Sequence, residues 1–296
     1  MRLVSKGFAE ESRFSILVHG GAGKVRGSHQ EHREGCARAA NAGKEVLEKG
    51  GSALDAVECA VRSLEDTPCF NAGTGGVLNV DGDLQLDASI MSDDYRAGGV
   101  CALPPFLHPI SIARAVLEKG GHVLFAADGA KRFAIENGFT PSTLEAMRTE
   151  ESQRLYEEGT LRGGTVGAVA VDQHGRFAAA TSTGGKNRKG VGRVGDSPIP
   201  GAGNYATRSG ATSATGDGEA FLKLCATSRV LERVRTGASL EFALRETMRE
   251  LIDETGSDGG GLILVGKNGH AAWVRSTEEM SWALARAGVE TLSGTD

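Results

Sequence analysis

The sequence has no apolar run long enough to span a bilayer, and its opening residues, MRLVSKGFAEESR, hold no apolar core of secretory-signal length. It has no N-x-[ST] glycosylation acceptor either. Positive charge is not in excess: 33 Lys+Arg stand against 38 Asp+Glu, a formal net charge of -5. Such a chain lacks the cationic surplus needed to track a phosphate backbone, so the expectation is no nucleic-acid partner and no membrane partner. The five cysteines (Cys36, Cys59, Cys69, Cys101, Cys225) are odd in number and show no repeated close spacing. They read as buried thiols in a reducing compartment rather than as a disulfide framework. These absences predict a cytoplasmic protein.

What is present is an ordinary globular composition, with 40% hydrophobic and 24% charged residues over 296 positions. Glycine is the exception. Its 43 residues are about 15% of the chain, roughly twice the usual share, and without a G-X-Y period they mark tight turns and close backbone approaches. Phe14–Val18 (FSILV) reads as a buried strand feeding the glycine turn HGGAG. Cys36, Ala39, Ala40, Gly43, Val46 and Leu47 share a helix face that stops at Gly50-Gly51, and Ser52 caps a second helix carrying Ala53, Ala56, Val57, Ala60, Val61 and Leu64. Small residues on both faces predict close helix packing. Strand-like segments follow near Gly76–Asn79, Leu84–Ile90 and Gly99–Ala102, then a helix around Pro109–Lys119.

Between Glu145 and Arg162, eight of 18 residues are charged, which predicts a solvated helix from about Ser142 and an exposed linker from about Gly159. The chain then turns apolar at TVGAVAVD and RFAAATST, two strands joined at Asp172–Gly175. Helices near Glu219–Val234 and Leu240–Glu254 precede a strand pair, Leu262–Val265 and Ala271–Val274. Strands and helices are segregated rather than alternating, which favours an α+β fold of stacked antiparallel sheets covered by helices.

Several familiar signatures fail. In Gly21–Gly27 (GAGKVRG) the first glycine of a phosphate loop would fall at Val18, and Val25 replaces the required Ser or Thr. His29, His32 and Cys36 share a helix face as metal ligands would, but no fourth ligand is evident and a solvated helix start is the plainer reading. There is no GxSxG elbow.

The informative junction is Gly163-Gly164-Thr165-Val166-Gly167, where polar linker meets buried strand. A threonine hydroxyl needs a base beside it to be a useful nucleophile. The economical base is the threonine's own α-amine, with an ordinary pKa near 7.7–8.0, and freeing it requires cutting the preceding peptide. On this motif alone a glycine turn entering a strand is by far the plainer reading. Downstream, however, stand Thr181-Ser182-Thr183-Gly184-Gly185, Gly192-Arg193-Val194-Gly195-Asp196-Ser197-Pro198 and Thr215-Gly216-Asp217-Gly218-Glu219. Arg193 and Asp196 are either a surface ion pair or a clamp for a zwitterionic amino acid, the guanidinium forking the α-carboxylate and the carboxylate taking the α-ammonium. Thr215-Gly216 is either a turn or a hydroxyl and a backbone N–H for a developing oxyanion.

The segments HGGAG, FNAGTGGVLN, LDASIM, GTVGAVAVD, TSTGG, GRVGDSPIPGAG and TGDGE, in this order from about His19 to Val274, resemble the plant-type asparaginase (isoaspartyl aminopeptidase) family of N-terminal-nucleophile hydrolases. The resemblance implies one four-layer αββα domain over 1–296, made as a precursor and cut at Gly164–Thr165. The products would be an α chain of 164 residues and a β chain of 132 (296 minus 164), associating as (αβ)2. It further implies Thr165 as nucleophile, Thr183 as its orienting partner, and Thr215 and Gly216 as oxyanion hole. Arg193, Asp196, Gly218 and Asn71 would line or hold the substrate, and the His19–Gly23 loop would brace the cleavage region. No cofactor is implied, although backbone carbonyls in the 64–74 loop resemble a structural sodium site. The implied activity is release of L-aspartate from β-aspartyl dipeptides and L-asparagine through a β-aspartyl-threonine ester. Gly164 stands where glycosylasparaginases usually carry Asp, and Asp196 is a residue the threonine-aspartase branch lacks; both favour the isoaspartyl branch. The linker is short for the family, and no leaving-group preference follows from Asp217. A glycosylasparaginase and an unprocessed aspartate or asparagine binder are the alternatives.

Overall fold

The computed structural model describes residues 3–25, 27–159 and 163–296. Its architecture follows from strands whose two faces are both apolar. In β2 (Ser15–Gly23), Ile16 and Val18 point into one core while Leu17 points into another. In β10 (Gly260–Val265), Leu262 and Leu264 face outer helices while Ile263 and Val265 join Leu17. Side chains alternate with period two along a strand, so a strand buried on both faces needs a layer above and a layer below.

One sheet has eight strands, in the order β13 (Leu292–Gly294), β12 (Glu279–Arg286), β2, β6 (Val166–Val171), β7 (Phe177–Thr183), β3 (Leu86–Ser92), β4 (Ala97–Leu103) and β5 (Leu124–Ala126). The other has five: β1 (Val4–Phe8), β11 (Ala271–Arg275), β10, β9 (Gly210–Gly216) and β8 (Asn204–Thr207). Leu17, Val169, Ala179, Ile263, Trp273 and Leu284 fill the space between them. On the outside of the larger sheet lie α1 (His29–Glu48), α2 (Ala53–Glu65), α3 (Pro109–Lys119) and α4 (Ala127–Glu136). On the outside of the smaller lie α7 (Gly218–Leu224), α8 (Ala226–Arg235) and α9 (Leu240–Thr255). The layers are therefore αββα, as the resemblance implies.

Local chemistry explains the boundaries. Ser52 and Asp55 close a reciprocal capping box on α2. Pro109 opens α3 at a position where its missing N–H loses nothing. Gly43 lets α1 approach β2 and α2, since a Cβ there would run into Ile16 Cδ1 and stand 2.9 Å from the Ala56 carbonyl oxygen. The hairpin at Asp172–Gly175 forms as expected, pairing Val166 with Ser182 and Val171 with Phe177.

Some expectations change. The chain does not turn at HGGAG, because β2 runs through Gly23 and pairs there with Glu279 and Met280 across an irregular register. Gly76–Asn79 forms only isolated bridges, Leu78 with Leu84 and Asn79 with Lys189. The solvated helix is two pieces, α5 (Leu144–Met147) capped by Thr143 and α6 (Glu150–Glu158) capped by Thr149. The linker expected after Gly159 falls on 160–162, outside the described residues. The Glu219–Val234 helix breaks at Cys225, whose φ of 53° separates α7 from α8. All five cysteines are free, but Cys225 is exposed and Cys59 and Cys69 are half-buried, so only Cys36 and Cys101 fit the buried-thiol reading. Among the described residues no helix is long and apolar enough to cross a membrane.

Candidate active site

Thr165 immediately precedes β6, between the two sheets, and only 6% of its surface is exposed. Its hydroxyl oxygen lies 3.2 Å from Oγ of Ser197. The segment carrying Ser197 is pinned to the larger sheet, because the Ser197 carbonyl accepts from Ser89 Oγ at 2.7 Å and Thr181 Oγ1 at 3.0 Å. Thr183 ends β7, beside Asp87 of β3, and donates its hydroxyl to the Gly164 carbonyl oxygen at 2.7 Å. The same oxygen accepts from Asn71 Nδ2 at 2.8 Å. Asn71 is itself held, donating to the Gly185 carbonyl at 2.7 Å and accepting from the Val77 N–H at 2.8 Å. In the uncut chain Thr183 and Asn71 thus both address the carbonyl before Thr165, and neither is bonded to the Thr165 hydroxyl.

The end of β2 lies against this peptide. A Cβ on Gly21, where φ is +112°, would stand 3.6 Å from Gly164 Cα and 3.7 Å from the Thr165 nitrogen. His19, two residues earlier, is fully buried and pairs through Nε2 with Ser213 Oγ at 2.8 Å. Burial pushes its pKa down to about 3, with the Thr165 backbone pulling the other way, so the ring is neutral. The Thr215 hydroxyl accepts from the Ala22 N–H at 3.1 Å, which fastens β2 to β9.

A cavity of about 20 Å³ opens on Thr165, lined among others by Gly163, Gly164, Thr183, Arg193, Asp196 and Ser197. Gly216 and Gly218 also line it; Thr215 is not among the lining residues. The volume holds about one water molecule. Asp196 is 3% exposed and its Oδ2 has no hydrogen-bond partner. Burial raises its pKa to about 7, opposed by its own backbone N–H and by the nearby Arg193. Arg193 pairs with Glu219 rather than Asp196, at 2.9 Å through Nε and 2.8 Å through Nη2. The surface ion pair considered for Arg193 and Asp196 is therefore replaced by a different partner. Lys186 Nζ contacts Glu219 as well, and lies 2.9 Å from Asp217 Oδ1. Burial alone would lower the lysine, but its two carboxylate partners raise it overall.

The structure brings Asn71, Gly164, Thr165, Thr183, Arg193, Asp196, Gly216 and Gly218 to one place. Reasoning from the sequence passed over Ser197, Lys186 and Glu219. Ser197 lay inside a motif already singled out, and Glu219 inside TGDGE, so proximity to those motifs was the available signal. His29, His32 and Cys36 do not converge on a site. His29 pairs with Glu279 at 2.6 Å, and His32 is buried edge-on to Phe70 rather than solvated. Burial pushes the Cys36 thiol up to about 12. Among the described residues no group of three or more His, Cys, Asp or Glu is placed to hold a metal ion.

A sequence profile of the asparaginase family matches residues 12–163 and 151–292. The isoaspartyl peptidase/L-asparaginase of Mus musculus is 42% identical over 288 residues, covering 92% of this chain and 88% of that protein. Its counterpart in Homo sapiens is also 42% identical over 288 residues, covering 92% and 93%. The plant-type L-asparaginase of Pyrococcus furiosus is 40% identical over 300 residues, covering 93% and 97%. With matches of this extent spanning both sides of Thr165, the chain belongs to the asparaginase family.

Proposed function

We propose that this chain is an isoaspartyl peptidase/L-asparaginase that cuts itself between Gly164 and Thr165 and then uses Thr165 to release L-aspartate. The observation that carries this reading is the Gly164 carbonyl, which precedes a buried threonine and accepts from both Thr183 Oγ1 (2.7 Å) and Asn71 Nδ2 (2.8 Å). Donors fixed on a carbonyl oxygen stabilise the negative charge that develops there when a nucleophile adds. Oγ1 of Thr165 attacks the Gly164 carbonyl carbon, the C–N bond breaks, and the threonine amine leaves with a proton. Water then hydrolyses the resulting ester, giving a Gly164 carboxylate and a free Thr165 amine beside its own hydroxyl.

In turnover that amine takes the Oγ1 proton as the oxygen adds to the side-chain carbonyl of an aspartyl unit. The Gly216 N–H at the cavity wall receives the oxyanion, with Thr215 supporting the strand end. Ammonia or an amino acid leaves protonated, and water frees L-aspartate from the ester. Asp196, with an unpartnered oxygen at the inner wall, takes the substrate ammonium, and Arg193 exchanges Glu219 for the substrate α-carboxylate. The names of the mouse and archaeal relatives, which include isoaspartyl peptidase and L-asparaginase, support both substrates.

The rest of the reading follows the family. The mature chains associate as (αβ)2, which size-exclusion chromatography with light scattering tests, and the protein resides in the cytoplasm. The family resemblance extends to a structural sodium ion held by backbone carbonyls of the 64–74 loop, oxygen donors being what a hard cation takes. Intact-mass measurement together with aspartate release from L-asparagine and β-Asp-Leu tests the whole. A single uncut chain that hydrolyses both substrates, or a cut chain that hydrolyses neither, overturns it.

A further inference from the structure

The cavity above Thr165 is graded in depth. Asp196 and Thr165 are 3% and 6% exposed, whereas the side chains of Lys186 and Asp217 are 35% and 36% exposed and that of Glu219 45%. With the aspartyl half held inward by Asp196 and Arg193, the leaving group has to project past this outer set. Among the described residues lining the cavity the cations are Arg193 and Lys186. A β-aspartyl dipeptide brings two carboxylates, one on the aspartyl α-carbon and one on the leaving residue. L-asparagine brings only the first.

We propose that Lys186 is a specificity-determining residue that receives the α-carboxylate of the leaving residue, and that Asp217 is the internal competitor for the same ammonium. This inference rests on the preceding reading of Thr165, Arg193 and Asp196. Lys186 is held at present by Asp217 Oδ1 at 2.9 Å and by Glu219. An ammonium has three donors, so Lys186 keeps Glu219, which Arg193 releases for the first carboxylate, while trading Asp217 for the second. Half-exposed ion pairs of this kind stabilise little, so the trade is close to neutral and the flexible lysine stem permits it. The charges point the same way. The substrate ammonium answers Asp196 and Arg193 answers the first carboxylate, so among the described residues lining the cavity the cation left for the second carboxylate is Lys186. The backbone of Lys186 is also bridged to Gly163, so it lies directly along the segment that ends at the cleavage site.

The test compares three substrates on the matured enzyme: β-Asp-Leu, the same compound with its leucine carboxylate converted to an amide, and L-asparagine. Maturation is matched by intact mass. The wild-type protein should prefer the acid over the amide, chiefly through KM. Lys186→Met should lower the acid-to-amide ratio of kcat/KM at least ten-fold, and lower activity on β-Asp-Leu far more than on L-asparagine. Asp217→Asn should move the ratio the other way, by about three-fold or more, because the competitor is gone. A wild-type enzyme that hydrolyses acid and amide equally well overturns the proposal without any variant. So does an acid-to-amide ratio that stays within two-fold in both variants. Failure of the wild-type enzyme to release aspartate from all three compounds is a different result, and it overturns the reading of the site itself.

Discussion

Replacing Asp196 by asparagine separates what the inner wall of the cavity does for catalysis from what it does to stability. The carboxyl is buried, one oxygen lacks a partner, and its pKa is raised from 3.8 to about 7. A carboxyl whose pKa is raised on folding weakens the native state as pH increases. Below pH 3.8 both states hold the proton and nothing is lost. Between 3.8 and 7 the unfolded chain ionises while the folded one keeps its proton, so stability falls with pH. Above 7 both are ionised and the loss is constant. The interval is about three pH units, and at about 1.36 kcal/mol per unit the full loss is about 4 kcal/mol at pH 8, with about 2 kcal/mol already present at pH 5. Asparagine has nearly the same shape and never ionises. Asp196→Asn should therefore be the more stable protein, by a margin that grows between pH 5 and pH 8. For a chain of this size that corresponds to about 3 °C in Tm at pH 5 and about 7 °C at pH 8.

The comparison is made in a Thr165→Ala background, so that both proteins remain single chains, by guanidinium and thermal unfolding across that pH range. The same substitution in a cleavable background removes the partner of the substrate ammonium, so kcat/KM on L-asparagine should collapse while Tm rises. A stability difference that is flat from pH 5 to pH 8, or an Asp196→Asn protein less stable than its parent at pH 8, would refute the argument from burial.

Thr165→Ala should appear as one uncut mass with no hydrolysis, where the wild-type protein should resolve into chains of 164 and 132 residues (296 minus 164). Because Gly163 and Gly164 line a cavity of about 20 Å³, that uncut protein should also show no binding of L-aspartate by calorimetry; binding as tight as the matured enzyme's contradicts the occlusion. Thr183→Ala and Asn71→Ala each remove one donor from the Gly164 carbonyl and should slow maturation by about 10²–10³-fold, followed by mass spectrometry over time. Wild-type maturation in both variants would show that these bonds play no part in it. Arg193→Ala should mature within a few-fold of wild type yet lose about 10²-fold or more in kcat/KM on L-asparagine, since charged hydrogen bonds contribute about 1.5–3 kcal/mol each. The opposite split, failed maturation with intact hydrolysis, contradicts its assignment to substrate.

Elements with a local chemical start or stop were legible in advance. The capping box at Ser52 marks α2, Pro109 marks α3, and Asp172–Gly175 marks the hairpin that carries Thr165 and Thr183 on its two arms. Where a boundary arises from tertiary packing, nothing local announced it. The break at Cys225, where φ is 53°, has neither glycine nor proline to mark it. The strands β8 and β9 are short or rich in Ala, Ser and Thr, so their edges carry little contrast. The site divides in the same way. Thr165, Arg193 and Asp196 sit in glycine-flanked motifs that mark them as candidates, although none of these motifs settles a role in isolation. The Arg193–Glu219 pair joins residues 26 apart, and the His19–Ser213 contact joins residues 194 apart. Such pairings exist only once the two sheets are stacked, so the sequence could name Arg193 without naming what holds it.

On the proposed reading two separate conditions would keep the uncut chain silent. The prospective base is the nitrogen of a peptide bond, and Gly163 and Gly164 stand in the wall of the cavity of about 20 Å³ that opens on Thr165. The proposed hydrolysis would remove both, since the bond that would free the Thr165 amine is also the bond that holds Gly164 in place. The donors on the Gly164 carbonyl come from the end of β7 and from the loop after α2, whereas the groups assigned to substrate come from the 192–198 segment and the turn between β9 and α7. Under the proposed reading processing and turnover would share a nucleophile but draw on different walls. That separation is the reason to expect substitutions at Arg193 and Asp196 to alter hydrolysis without blocking maturation, and those at Thr183 and Asn71 to act first on the cut.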